Sequence, residues 1–189
     1  MSTEVKQSPR ERLLAAVADL TYSEGVNIGV EALCKAAGVS KRSMYQLFES
    51  KDELLAVSLE RRGAVIHERM THPSDASYGP RERILYVFEL LERQARSPEY
   101  RGCPFVATQV ELKDAGHPAS RVASRVKLDL EEYFREQAEL GGAADPELLG
   151  RQLVLVFDGG STRAGIGADD LRGLATPMVT TLLDAAGIR

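Results

Sequence analysis

The chain has 189 residues, of which 43% are hydrophobic and 28% charged, a composition typical of a folded globular protein. Its net charge of −4 argues against a protein that coats nucleic acid regardless of sequence. No stretch approaches the roughly 18 consecutive apolar residues of a membrane helix. The N-terminus, MSTEVKQSPR, lacks the apolar core of a secretory signal. We therefore expect a cytoplasmic protein with no membrane partner.

Capping residues, prolines and glycines divide the sequence into about nine predicted helices. Ser8-Pro9-Arg10-Glu11 is a capping box that starts the first helix, which is expected to end near Gly25. No long stretch alternates apolar and polar residues, so we predict an all-α fold. The later predicted helices are Val30–Ala37, one capped by Ser40, Lys51–Met70, one from Pro80 to Ser97, 104–113, Pro118–Gly141, and one that Asp145-Pro146 starts. A last helix carries Leu171, Leu174, Met178, Leu182 and Ala185, with a kink or restart at Thr176-Pro177.

Within the stretch GVSKRSMYQLFESKDEL, residues 38–54, positive charge is in excess only over residues 41–51, where Lys41, Arg42 and Lys51 are opposed by Glu49 alone. The chain carries a net charge of +1 up to Lys51 and −5 beyond it. Two short helices that are joined by a turn containing glycine form a helix-turn-helix, whose second helix can enter a DNA major groove. We expect the small residues 36–38 to permit close helix crossing, Val39 to anchor the turn, and Leu47 and Phe48 to pack inward. The side chains left for solvent or DNA are Lys41, Arg42, Ser43, Tyr45 and Gln46.

These residues resemble the DNA-binding domain of the TetR family of bacterial transcription regulators. The resemblance covers GVNIGVEALCKAAGVSKRSMYQLFESKDELL closely and RERLLAAVADLTYSEG more loosely. It implies a sequence-specific regulator, in most members a repressor, that binds a double-stranded DNA operator. It also implies phosphate contacts by Ser40, Ser43, Tyr45 and Lys51. The side chains placed to read base edges are Lys41, Arg42 and Gln46, although each also reaches phosphate.

The resemblance divides the chain into a DNA-binding domain, 1–54, and a ligand-binding and dimerisation domain, 55–189, and implies a homodimer with an unidentified small-molecule effector. The predicted dimer seam consists of Leu149, Leu153, Val156, Leu174, Met178 and Leu182. Periodicity leaves intrachain core as an alternative for these residues. The candidate ligand-binding residues are Phe88, Phe105, Gln109, Phe134 and Asp158. For them, too, a purely structural role remains open.

The sequence contains no recognisable catalytic or metal-binding pattern. His67, His72 and His117 lack ligand spacing, and Cys34 and Cys103 have no CxxC partner. The glycines of DGGSTRAGIGADD lack the lysine and the preceding strand of a phosphate-binding loop. We expect no enzyme, no cofactor and no metal. The alternative function is a constitutive or activating DNA-binding protein that has no effector.

Overall fold

The structure, a computed structural model, describes residues 7–71 and 77–189. These ranges contain helices and no β-strand, which confirms the all-α prediction. The helices are α1 (Pro9–Glu24), α2 (Val30–Ala37), α3 (Lys41–Leu47), α4 (Lys51–Thr71), α5 (Pro80–Ala95), α6 (Pro104–Leu112), α7 (Pro118–Leu140), α8 (Pro146–Gly165) and α9 (Ala175–Ala185). Within the same ranges, no helix is long and apolar enough to span a membrane. His72 and most of the loop before Pro80 lie outside the described residues.

The helices begin where the capping residues predict. Ser8 Oγ accepts a hydrogen bond of 3.2 Å from the Glu11 N–H at the start of α1. Asp145 Oδ1 accepts one of 2.9 Å from the Leu148 N–H at the start of α8. Each bond satisfies an amide that has no partner inside its own helix, and proline follows directly at the first helical position.

The last helix begins later than its apolar periodicity predicts. Leu171 has φ +60 and Gly173 has φ +69, which are left-handed conformations that an α-helix does not contain. Leu171 and Leu174 therefore precede α9, which starts at Ala175. Leu171 is still only 1% exposed, so it enters the core from a loop rather than from a helix face.

The described residues divide into two compact units. The N-terminal unit comprises those up to Arg62 together with Ala107–Ala123. The C-terminal unit comprises those of Gly63–Val106 and Ser124–Arg189. The chain passes from one unit to the other within α4, α6 and α7. The functional boundary after residue 54 stays a prediction.

Each unit has its own apolar core. In the N-terminal unit Leu13 of α1, Leu33 of α2 and Met44 of α3 are fully buried together. In the C-terminal unit the ring of Phe88 stacks on Phe134 with a centroid separation of 5.6 Å. In the N-terminal unit, the burial of Met44 with Leu13 and Leu33 fixes the orientation of α3 and leaves the opposite face of α3 to solvent.

Candidate nucleic-acid interface

The turn between α2 and α3 depends on Gly38. This residue has φ +61, and its N–H bonds the last carbonyls of α2. An added Cβ would meet nothing within 4 Å. We predicted a small residue here because the helices cross closely, and that reason is wrong for Gly38. Glycine is required instead by the left-handed backbone conformation at this position. Arg12 of α1 holds the same turn, with its Nε donating to the Ala37 carbonyl at 2.9 Å.

Helix α3 has one buried side and one exposed side. Met44 is fully buried and Phe48, just beyond the helix, is 3% exposed. Leu47 is 39% exposed and does not pack inward as predicted. The physical reason is that Met44 and Phe48, four residues apart, already occupy the inward positions of this short helix.

Two serines shape the start of α3. Ser40 Oγ accepts a hydrogen bond of 3.0 Å from the Ser43 N–H, which confirms the predicted cap. The two hydroxyl oxygens lie 2.9 Å apart, so one hydroxyl donates to the other. One hydroxyl hydrogen of the pair is left over to donate to an acceptor such as a phosphate oxygen.

The exposed side of α3 carries Lys41, Arg42, Tyr45 and Gln46. Arg42 is exposed, and it makes no hydrogen bond or ion pair with residues 7–71 and 77–189. Lys41, in contrast, lies 2.6 Å from the carboxylate of Glu31 on α2. That hydrogen bond lowers the pKa of Glu31 and raises the pKa of Lys41. Sequence reasoning missed this pairing, since Glu31 lies outside the charge cluster.

Lys51 is held by the chain itself. Its Nζ donates a hydrogen bond of 2.9 Å to the Val26 carbonyl, and the side chain is partly buried. The ammonium keeps two further hydrogens for a phosphate. Asp52 and Glu53 stand in the first turn of α4, so the local charge there is negative apart from Lys51. A contact of Lys51 with a DNA phosphate would therefore depend on the place of Lys51 at the start of α4 and not on the local net charge.

Residues 13–57 match the sequence model of the bacterial regulatory proteins of the tetR family. A TetR transcriptional regulator of Streptomyces avermitilis has 66% sequence identity and a TM-score of 0.93, over 97% of this chain and 100% of that one. The chain belongs to the TetR family. It is therefore a DNA-binding transcriptional regulator, and its fold is the family's N-terminal helix-turn-helix followed by a helical bundle.

A curated relative of this TetR-family regulator is the transcriptional repressor NemR of Escherichia coli K12, with 32% identity over 117 residues. That alignment spans 60% of this chain and 59% of NemR. The crystal structure of reduced NemR shares the fold, with a TM-score of 0.82 at 24% identity over 93% of this chain and 96% of that one.

The predicted ligand-binding residues do not all fall in one unit. Phe88, Phe105 and Phe134 are buried in the C-terminal unit, whereas Gln109 belongs to the N-terminal unit and directs its Nε2 toward the Ser120 carbonyl at 3.5 Å. Asp158 lies in the C-terminal unit. A cleft of about 440 Å³ in that unit, lined in part by three arginines and two aspartates, contains none of the five.

Asp158 is engaged in an ion pair that the sequence did not predict. The ammonium of Lys127 lies 2.5 Å from its carboxylate and 4.9 Å from the centre of the Phe157 ring. The Lys127 side chain is only 14% exposed. Burial raises the pKa of the nearby Cys103 thiol, and Lys127 opposes that rise. The described residues contain no cluster that could hold a metal ion.

The predicted dimer seam is split between core and surface. Leu149 is 2% exposed and Leu153 is fully buried within the single chain. We correct their role to intrachain core, because they have no side-chain surface left for a partner. Val156 and Leu182 are half-buried, and the exposed members are Leu174 and Met178. The exposed apolar side chains on α8, α9 and the segment between them are Leu148, Leu155, Ile166, Leu174 and Met178.

Proposed function

We propose that the protein is a ligand-responsive repressor that binds a palindromic operator as a homodimer in the cytoplasm. The observation that carries the proposal is the two-sided α3, with Met44 buried and a polar face of long side chains exposed opposite it. That arrangement is typical of a recognition helix, which needs a rigid inner side and a readable outer side. The name of NemR, a transcriptional repressor, supports repression as the outcome.

The proposed DNA contacts have two roles. Ser40, Ser43, Tyr45 and Lys51 bind phosphates and set the register of the protein on the duplex. Base edges are read by α3, where Arg42 suits guanine and Gln46 suits adenine. Lys41 contributes less to base reading than Arg42, because its ammonium is already paired with Glu31.

The proposed homodimer forms through the exposed apolar side of α8 and α9. These helices pack against each other within the chain. Leu155 is 73% exposed and Met178 is 49% exposed, whereas Leu153 is fully buried. The exposure of five large apolar side chains on α8, α9 and the segment between them supports a protein interface at these helices. A two-fold dimer would present two copies of α3 to half-sites about one DNA turn apart, or a multiple of it.

The proposed effector acts by changing the half-site spacing. A ligand that prefers a conformation with the wrong spacing shifts the population away from the operator-binding form. The C-terminal unit offers a polar anchor for such a ligand in the Lys127–Asp158 pair, which lies beside the ring of Phe157. Helix α4 is the proposed lever because it begins at Lys51 and continues into that unit. Residues 1–54 thus serve DNA binding, and residues 55–189 serve effector binding and dimerisation.

The experiment that tests the function is selection of bound sequences from a random DNA library by the full-length protein at near-physiological salt. The proposal predicts one palindromic sequence, enriched over many rounds. No enrichment would contradict a sequence-specific repressor. A tight-binding effector that left operator affinity unchanged would instead favour the alternative, a constitutive or activating protein that has no effector response.

A further inference from the structure

A single residue in the turn after α1 joins an acidic side chain to a basic one. The Val26 N–H donates a hydrogen bond of 2.7 Å to Glu111 Oε2 of α6. The Val26 carbonyl accepts a hydrogen bond of 2.9 Å from Lys51 Nζ of α4. All three residues lie in the N-terminal unit. The position of the Val26 backbone therefore depends on Glu111, and the position of the Lys51 ammonium depends on that backbone.

The turn is shaped to admit the Glu111 carboxylate. Gly25 has φ +91, which favours glycine, and a Cβ added there would lie too close to Glu111 Oε2, so the carboxylate would have to shift. The side chain of Val26 is buried, with 4% of the residue exposed, which fixes the turn from the other side. An amide held in this way needs an acceptor, because an unpaired buried N–H is costly.

The place of Glu111 within α6 does not explain why a carboxylate stands at this position. It stands in the last turn of α6, where the helix dipole favours cations and disfavours a carboxylate. The hydrogen-bond partner of Glu111, Val26, lies 85 residues away in sequence. The bond between them is charge-assisted and short. The carboxylate thus serves the turn rather than α6.

We propose that Glu111 is a positioning residue for DNA binding, which acts through the Val26 backbone to hold Lys51 at a DNA phosphate. This inference rests on the phosphate contact that the proposed function gives to Lys51. It adds a residue from the α6 segment to the machinery that sets DNA affinity.

The test is a double-mutant cycle of Glu111→Ala and Lys51→Ala in the full-length protein. Binding is measured on the selected operator and on a random duplex, each over a range of salt concentrations. We expect Glu111→Ala to weaken binding to both duplexes about tenfold, which is the size of one lost charge-assisted contact. The slope of log affinity against log salt should fall in magnitude by about one. The double variant should bind no more weakly than Lys51→Ala alone.

Two controls separate positioning from other effects. Glu111→Gln keeps an oxygen acceptor for the Val26 N–H and should restore most of the affinity and the salt slope. Glu24→Ala removes a carboxylate from the exposed end of α1, close in sequence to the same turn, and should leave binding unchanged or slightly tighter, because it removes repulsion from phosphates. Tighter binding by Glu111→Ala, or losses that multiply in the double variant, would overturn the inference.

Failure of this inference can be told apart from failure of the proposed function. A phosphate contact does not depend on sequence, so the cycle on random duplex reports on Glu111 even for a protein that selects no operator. Selection of a palindrome together with additive losses would overturn the role of Glu111 alone. Absence of binding to any duplex would overturn both.

Discussion

The ammonium of Lys41 lies 2.6 Å from the carboxylate of Glu31, which ties the first residue of α3 to α2. Glu31→Gln should release Lys41 and remove a negative charge from the surface beside the proposed DNA contacts. We expect tighter binding to any duplex and a salt slope larger in magnitude by about one. Glu49→Gln, which removes an equal charge between α3 and α4 without freeing a lysine, is the control. Equal effects of the two substitutions in a fluorescence titration would argue against the pairing.

The conformation of Gly38 predicts a specific order of stabilities. Gly38→Ala should lower the free energy of unfolding by about 1 kcal/mol, because alanine is strained at positive φ. Gly38→Asn should cost less, since asparagine tolerates the left-handed region better. Urea unfolding of the three proteins measures the order. If alanine proved as stable as glycine, the turn conformation described above would be contradicted.

Glu92 of α5 caps α9, which has no side-chain cap of its own. Its Oε1 accepts a hydrogen bond of 2.9 Å from the Thr176 N–H, and the residue is 8% exposed. Glu92→Ala should therefore lower the free energy of unfolding by about 1–2 kcal/mol. Glu89→Ala, which removes an exposed carboxylate one turn earlier, should change it by less than about 0.5 kcal/mol. If the two variants lost similar amounts of stability in thermal unfolding, the capping role of Glu92 would be contradicted.

The exposed side of α8 predicts the effect of a charge on assembly. Leu155→Glu should convert the proposed dimer to a monomer, because the charge would be buried in an apolar interface. The control is Leu128→Glu on α7, where Leu128 is 64% exposed, and this variant should leave the proposed dimer intact. Sedimentation velocity distinguishes the two states. A dimer that survives Leu155→Glu, or a wild-type monomer, would contradict this interface.

The sequence predicted the helices best where the signal is local. Ser8, Ser40 and Asp145 each bond an amide three residues further on, so their caps can be read from adjacent residues. The start of α9 could not be read in this way. The apolar spacing of the last helix extends back to Leu171, but Leu171 has a positive φ, and its N–H donates to Asp169 Oδ1 instead of to a helical carbonyl.

Interfaces and long-range contacts were less predictable. Helix α8 is apolar on two sides, with Leu149 and Leu153 facing the core and Leu155 facing solvent. Periodicity finds both sides but cannot tell which one is inside. The bond of Glu111 to the Val26 N–H joins residues 85 positions apart, and no local pattern indicates it. The helix-turn-helix of α2 and α3 was predictable because its residues are adjacent and its motif is specific.

The most direct test of the account compares wild type and Arg42→Ala on the selected operator and on a scrambled duplex at the same salt concentration. We expect wild type to prefer the operator by at least about a thousandfold. We also expect Arg42→Ala to lose about 1–3 kcal/mol of binding free energy on the operator, at one base position, and little on the scrambled duplex. Equal affinity of the wild type for both duplexes, or equal losses on both for Arg42→Ala, would contradict base reading by α3.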